Sequence, residues 1–300
     1  MECFDLLKEQ LNRLCPSLEL RVDEPMQRHT SFHIGGPAAL MALPANREEA
    51  ALAVYTAAEL GIKPFFLGNG SNLLVRDKGV ERFIIKTSEL RRCHVDGTVI
   101  EADSGITLAR LAVFAREQGL TSLEFAHGIP GTLGGAITMN AGAYGGEMAQ
   151  VVREVTVLTD EGKVEKLYDF DFGYRHSVFS DGTRMILGAR MELAPGNRED
   201  IAARMEELAQ QRQSKQPLEY PSAGSMFKRP EGYFAAALID QCGLKGLTVG
   251  GAQVSEKHAG FVVNRGGATC ADVLDLVAQV KKRVLDATGV TLEMEVKVLG

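Results

Sequence analysis

The sequence predicts an α+β chain of two domains. Helix-like and strand-like stretches are interleaved along its whole length, and a turn-forming break at Ala194-Pro195-Gly196-Asn197 interrupts them before the last hundred residues. A chain of 300 residues, 45% of them hydrophobic, can also bury more than one core, since domains cluster near ~100 to 150 residues. The expected division is 1–197 and 198–300.

The elements follow in order. Phe4, Leu7, Leu11 and Leu14 fall on one face of an N-terminal helix. Arg47 to Leu60 reads as a second helix, stopped by Gly61 before the strand Phe65-Phe66-Leu67. Short apolar runs predict strands at Leu73 to Val75, Phe83 to Lys86 and Val99 to Ala102, and Leu108, Leu111, Ala112 and Ala115 form a helical stripe. Val151 to Thr159 and Lys163 to Tyr168 flank the turn Asp160-Glu161-Gly162 as a hairpin, and Met185 to Leu193 adds a strand. Beyond the break come a polar helix from Arg198 to about Gln213, a short helix near Tyr233 to Gln241 and a strand at Gly260 to Asn264. A helix from Ala271 to Ala287 ends at Gly289, and Thr291 to Leu299 reads as a final strand.

Composition narrows the function. The net charge of -6 comes from 33 basic and 39 acidic residues scattered along the chain, without the basic stripe that a phosphate backbone requires, so no nucleic-acid partner is expected. Five cysteines, an odd number and widely spaced, read as reduced thiols of a cytoplasmic protein. The N-terminus lacks the cationic-then-apolar order of a signal peptide, and no apolar run approaches the ~20 residues of a membrane helix, so no membrane insertion is expected. Nothing in the pattern speaks to oligomeric state. His29, His33, His127 and His258 are spaced singly and read as turn or cap residues, and no metal-ligand spacing occurs.

Two glycine loops carry the chemistry. GIPGTLGGAITMNAGAYGG, Gly128 to Gly146, holds seven glycines in nineteen residues and no charge. Glycine inside an element costs roughly 0.5 to 1 kcal/mol relative to alanine, so such a run points to close backbone approach rather than to packing. GNGSN, Gly68 to Asn72, follows a predicted strand directly. It reads either as a turn whose Gly and Asn supply positive φ or as a concave set of N–H donors for a pyrophosphate. Gly68 and Gly70 are not followed by a third glycine, since Leu73 stands there, and no Walker lysine follows, so a bound dinucleotide would not lie in a Rossmann fold.

Two such loops, about sixty residues apart in sequence, fit one extended ligand, with phosphates on the first and a flat ring against the second. The arrangement resembles the FAD-binding domain of the vanillyl-alcohol oxidase and p-cresol methylhydroxylase type. That resemblance implies noncovalent FAD held by Gly68, Asn69, Gly70, Ser71 and Asn72 and by Ile129, Pro130, Gly131, Gly134, Gly135, Ala136, Asn140 and Gly142. The smaller C-terminal α+β domain would then bind substrate.

Six motifs in order make the likeness specific: RHTSFHIGGPA (28–38), GNGSNLLV, GIPGTLGGAITMNAGAYG, GYRHSVF (173–179), PSAGSMFKRP (221–230) and LEMEVKVLG (292–300). The chain resembles the UDP-N-acetylenolpyruvoylglucosamine reductase (MurB) family of flavoenzymes of bacterial cell-wall synthesis, from about residue 28 to the C-terminus. Only fifty residues separate Arg175 from Ser225, which resembles the family's shorter form, without its extra tyrosine-bearing loop. The resemblance implies NADPH as reductant and a nucleotide-sugar substrate. It places the catalytic roles on Arg175, Ser225 and Glu295, with Ser225 protonating the substrate carbon and the other two stabilising the intermediate.

The chemistry explains those residue types. Hydride addition to an enolpyruvyl ether leaves negative charge in the neighbouring carboxylate, which fixed donors must meet. Arginine offers a planar cation to carboxylate oxygens, a glutamate kept protonated by burial offers a hydrogen bond, and a serine hydroxyl can deliver the proton. Read without the resemblance, Arg175 is a surface ion-pair partner, Ser225 a turn hydroxyl, and Glu293, Glu295 and Lys297 a solvated strand face. Tyr144, Lys215, Lys228 and Arg229 are candidates for the nucleotide-sugar diphosphate or are solubility charges and loop residues. Two other readings stay open: an FAD-dependent oxidase or dehydrogenase of the same fold, with His33 as a covalent flavin anchor, and a flavin- or nucleotide-binding module without catalysis.

Overall fold

The structure is a computed structural model and describes residues 2–300. The chain forms two compact units, each assembled from separate stretches. The first comprises the chain up to Val22, Ala39–Asn69 and Arg82–Gln211; the second comprises Asp23–Ala38, Gly70–Glu81 and Arg212–Gly300. The single division expected between 197 and 198 does not describe these units. Ile201 and Met205, from the helix Arg198–Lys215, are buried in a core of the first unit, which carries that helix with it as far as Gln211. Three of the boundaries fall inside the strands Glu19–Pro25, Pro37–Leu43 and Val80–Lys86, where no loop signal marks them.

The first unit has two larger sheets. One is antiparallel, with the order Val164–Leu167, Val152–Leu158, Met185–Glu192, Val99–Asp103, Cys93–Asp96. Its core joins Ile100, Val155 and Met191 to Leu108, Leu111 and Ala115 from the helix Leu108–Glu117. The other sheet has the order Glu19–Pro25, Pro37–Leu43, Val80–Lys86, Phe65–Leu67, its last pair parallel. Leu7 and Leu11 of the helix Glu2–Leu14 and Ala53, Val54 and Ala57 of the helix Arg47–Glu59 share a core with its Leu40, Phe83 and Ile85. Leu14, expected on the buried face of the first helix, is exposed at its last turn. The guanidinium of Arg47 grips the buried Asp103 carboxylate at 2.6 and 2.9 Å, fastening the second helix to the strand Val99–Asp103.

In the second unit an antiparallel sheet of order Ser222–Ser225, Phe261–Asn264, Ala252–Val254, Thr248–Val249 shares a core with the helix Cys270–Thr288 through Val262, Val254, Val273, Leu276 and Val280. That helix starts on a capping box between Thr269 and Asp272. Its first N–H groups are also met from elsewhere in the unit: the Asp77 carboxylate accepts from Cys270 at 2.7 Å and from Ala271 at 3.1 Å.

Three features differ from the sequence reading. The strands Glu19–Pro25 and Pro37–Leu43 lack clean alternation and were not expected; Pro37–Leu43 is buried along nearly its whole length. The glycine segment contains a helix, Leu133–Thr138. The terminal strand is only Lys297–Leu299, paired in parallel with Leu73–Val75. Before it, Leu292 and Val296 are buried, a spacing of four, so Glu293, Glu295 and Lys297 do not share a simple strand face. The segment changes partner midway: it meets Met226–Lys228 first and Leu73 only from Lys297 onward.

All five cysteines are free thiols. Burial pushes the Cys93 thiol up to about 11, partly offset by Arg110, and burial together with Asp77 pushes Cys270 up to about 11. The thiolate is the reactive form, so at pH 8 both should react with a maleimide ~10²-fold more slowly than a free thiol, and the exposed Cys3 should label first. Mass spectrometry of the labelled native and denatured protein checks this; prompt native labelling of Cys93 or Cys270 would contradict the packing.

Candidate active site

The first unit gathers several expected cofactor positions from three stretches of chain. Residues 104–108 and 131–134 are stitched by main-chain bonds: the N–H of Leu108 donates to Gly131 at 3.0 Å, that of Leu133 to Ile106 at 2.9 Å, and that of Gly134 to Ser104 at 2.8 Å. A Cβ at Gly134 would sit 2.9 Å from the Ser104 Cβ, so any larger residue forces the stretches apart. The third stretch brings Gly68, where a Cβ would lie 2.3 Å from the Thr132 Oγ1, and Asn69, whose amide reaches the Pro130 carbonyl at 3.5 Å. Ile129, Gly135 and Ala136 adjoin these along the chain.

Two hydroxyls at this junction were not expected. Ser104 is 0% exposed and Thr132 1% exposed, and neither Oγ atom has a hydrogen-bond partner. A buried hydroxyl left unbonded costs ~1 to 3 kcal/mol, so the pair suits a ligand rich in acceptors. Thr132 lies inside the glycine segment, which is the one signal that points to it. Nothing local marks Ser104, because its partners come from a segment thirty residues away in sequence.

The same unit carries Arg175 and Tyr144, both in the left-handed region. Arg175 has φ +57 in a turn closed by two bonds between Gly173 and His176, at 3.1 and 3.2 Å, and its guanidinium lies 5.2 Å from the Tyr174 ring centre. Tyr144 (φ +54) and Gly145 (φ +86) form the tip of the small hairpin Gly142–Ala143 with Gly146–Glu147, whose two central residues both take positive φ as a type I′ turn does. Bulky side chains held at positive φ cost ~1 kcal/mol or more and cluster where function requires them. Asn140, expected among the cofactor contacts, is buried with its amide bonded to Gly173 and Ala149.

The second unit brings Ser225 and Glu295 onto adjoining segments. Ser225 ends a strand, pairs with Phe261 past a bulge, and is exposed beside the buried Met226. The next residue, Met226, accepts at its carbonyl from the Glu295 N–H at 2.9 Å, and Phe227 bridges Met294. Gly70, Ser71 and Asn72 also belong to this unit, so the boundary between units passes through the GNGSN loop. Asn72 is tied to the segment of Glu295: its side-chain amide donates to the Glu295 carbonyl at 3.2 Å, and its carbonyl accepts from the Lys297 N–H at 3.1 Å.

The expected substrate cations are distributed more widely. Lys228 pairs with Glu293, and Arg229 stacks over the Phe234 ring at 3.9 Å. Lys215 is the last residue of the helix Arg198–Lys215, where a cation complements the carbonyl end of the helix dipole. Lys297 joins this group. Its side chain is crowded even though the residue reaches solvent, and desolvation first, then the charge of Lys228, hold its amine below the usual lysine range.

The family model of an FAD binding domain matches residues 38–168, and that of the UDP-N-acetylenolpyruvoylglucosamine reductase C-terminal domain matches residues 216–299. A UDP-N-acetylenolpyruvoylglucosamine reductase from Caldanaerobacter subterraneus is 47% identical over 99% of both chains. Its counterpart from Syntrophomonas wolfei is 45% identical over 100% of this chain and 98% of its own. The crystal structure of the reductase (MurB) from Thermus caldophilus superposes with a TM-score of 0.80 at 36% identity, covering 94% of this chain and 99% of that one.

The junction in the first unit fits the pyrophosphate of FAD. Two unbonded buried hydroxyls supply donors, and bare backbone at Gly68 and Gly134 lets the three stretches close around them, against Thr132 and Ser104. Gly68→Ala drives a methyl group against the Thr132 hydroxyl, so it should raise the Kd for FAD on the order of tenfold or more while leaving the far-UV circular dichroism unchanged. Titration of the deflavinated protein with FAD measures this; unchanged affinity would remove the junction from the cofactor site.

Proposed function

The chain belongs to the UDP-N-acetylenolpyruvoylglucosamine reductase family, and we propose that it reduces the enolpyruvyl ether of UDP-N-acetylglucosamine to UDP-N-acetylmuramate at the expense of NADPH, in peptidoglycan precursor synthesis. The observation that carries this is the match to the reductases across 99% of the chain, FAD binding domain and C-terminal domain both included. The reaction is placed in the cytoplasm, where the nucleotide sugar and NADPH are found.

FAD, which the junction of Gly68, Ser104, Thr132 and Gly134 would hold, would when bound supply hydride chemistry between NADPH and the terminal carbon of the enolpyruvyl group. The residues of the chain manage the charge and the proton that follow. Arg175 presents a planar cation to the substrate carboxylate, where negative charge accumulates. Glu295 holds a proton toward the same group, and Ser225 delivers one to the neighbouring carbon. Supporting the last two roles is the main-chain bond from Glu295 to Met226, which registers the serine and the glutamate against each other without a loop between them. Supporting the first is the left-handed backbone of Arg175, a conformation that an arginine rarely adopts and that clusters where function requires it. Tyr144, Lys215, Lys228 and Arg229 remain the side chains we carry forward as candidates for the nucleotide-sugar diphosphate, Lys228 being paired with Glu293.

NADPH should bleach the flavin absorbance under anaerobic conditions, and the enolpyruvyl nucleotide should restore it. A flavin that NADPH reduces but this substrate leaves reduced would sink the assignment. In Ser225→Ala, reduction by NADPH should persist, whereas reoxidation by substrate should slow by a factor on the order of 10² to 10⁴. A turn hydroxyl would instead cost ~1 kcal/mol of stability and leave both halves at wild-type rates, which stopped-flow spectroscopy distinguishes.

A further inference from the structure

We propose that Asn140 is a positioning residue for Arg175: it holds the turn that presents the guanidinium and does not serve as a cofactor ligand. The proposal rests on the reading of Arg175 as the cation that meets the substrate carboxylate.

The orientation of the Asn140 amide is set by its partners. The Gly173 carbonyl can only accept, so it faces the NH₂ group, at 3.2 Å; the Ala149 N–H can only donate, so it faces Oδ1, at 3.0 Å. The side chain is 2% exposed and its backbone is itself at φ +40, so this geometry is built rather than incidental.

Gly173 is the first residue of the turn that ends at His176, and Arg175 is its third, a place that favours glycine or asparagine when φ is positive. An arginine keeps that conformation only where its surroundings enforce it. The enforcement comes from both sides of the turn. Ahead of it, Asn140 holds the Gly173 carbonyl. Behind it, the buried Ser177 donates to the Thr138 carbonyl at 2.8 Å and accepts from the Phe179 N–H at 3.2 Å, and Ser180 donates to the same carbonyl at 3.3 Å.

Both anchors converge on one short piece of chain, Thr138 to Asn140, at the C-terminal end of the helix Leu133–Thr138. The other end of that helix is the junction of Thr132, Gly134 and Ser104. Six helical residues span about 9 Å, so one rigid element sets the arginine turn at a fixed distance from the cofactor junction.

The test is Asn140→Asp in the holoenzyme. It preserves shape and the acceptor for Ala149 but sets a carboxylate oxygen against the Gly173 carbonyl. We expect FAD affinity and flavin reduction by NADPH to stay within about threefold of wild type, while reoxidation by the enolpyruvyl substrate slows roughly 10- to 100-fold. Tryptic cleavage after Arg175, read by mass spectrometry, should speed up at least about tenfold as the turn loosens. In the Arg175→Ala background the Asn140 substitution should add no further slowing, because both act through one group. Should Asn140→Asp fail to fold, Ser177→Ala loosens the other anchor and should give the same pattern. Loss of FAD with unchanged tryptic resistance, or slowing that multiplies with Arg175→Ala, overturns the proposal. Normal reoxidation in Arg175→Ala itself would overturn the role of the arginine instead, and the two failures are distinct.

Discussion

The first unit depends on a close approach of two backbones at Gly134. Its N–H donates to the Ser104 carbonyl at 2.8 Å, and the absence of a Cβ lets residues 104–108 lie against residues 131–134 closely enough for two further main-chain bonds. That contact buries the hydroxyls of Ser104 and Thr132 without satisfying them. A buried hydroxyl without a partner costs ~1 to 3 kcal/mol, so the junction carries an unmet demand for an acceptor in a fold whose own stability is only a small residue of large terms. The glycines thus serve the protein's own backbone as much as a ligand.

The second unit solves a different problem, that of bringing residues distant in sequence onto neighbouring segments. Its last segment crosses Met226–Lys228, then leaves to pair with Leu73–Val75. The exchange of partners sets Glu295 beside the residue that follows Ser225, and Asn72 secures the crossing by bonding both to Glu295 and to Lys297. Asp77, from the same inserted stretch, caps the helix Cys270–Thr288. The stretch Gly70–Glu81 is therefore structural to the second unit, although it begins within a loop expected to hold phosphates.

The three acid–base and charge-bearing candidates consequently have different local supports. Ser225 and Glu295 are registered by the main chain, which tolerates many side-chain changes around them. Arg175 is registered by side chains, through a strained turn held by Asn140 and Ser177. A main-chain register is stiff and insensitive to neighbours, whereas a side-chain register can be loosened by one substitution at a distance.

By itself the sequence determined the α+β class, nearly every helix and strands such as Val152–Leu158 and Met185–Glu192, because their apolar spacing is local and helix caps such as Asn46, Thr107, Thr269 and Gly289 lie at the helix ends. Glu19–Pro25 and Pro37–Leu43, similarly long but without clean alternation, escaped it. Ordered motifs also marked Arg175, Ser225 and Glu295 and the two glycine loops. Only the tertiary structure decided which unit each loop serves. The division of GNGSN after Asn69, the discontinuous units, and the capture of the helix Arg198–Lys215 by the first core all follow from contacts between residues far apart in the chain, which leave no periodic trace. The tertiary structure likewise turned the expected terminal strand into a crossing, and turned Asn140 from a loop position like its neighbours into a buried amide between Gly173 and Ala149. A hydrogen bond across thirty-three positions is legible only when both ends are in place.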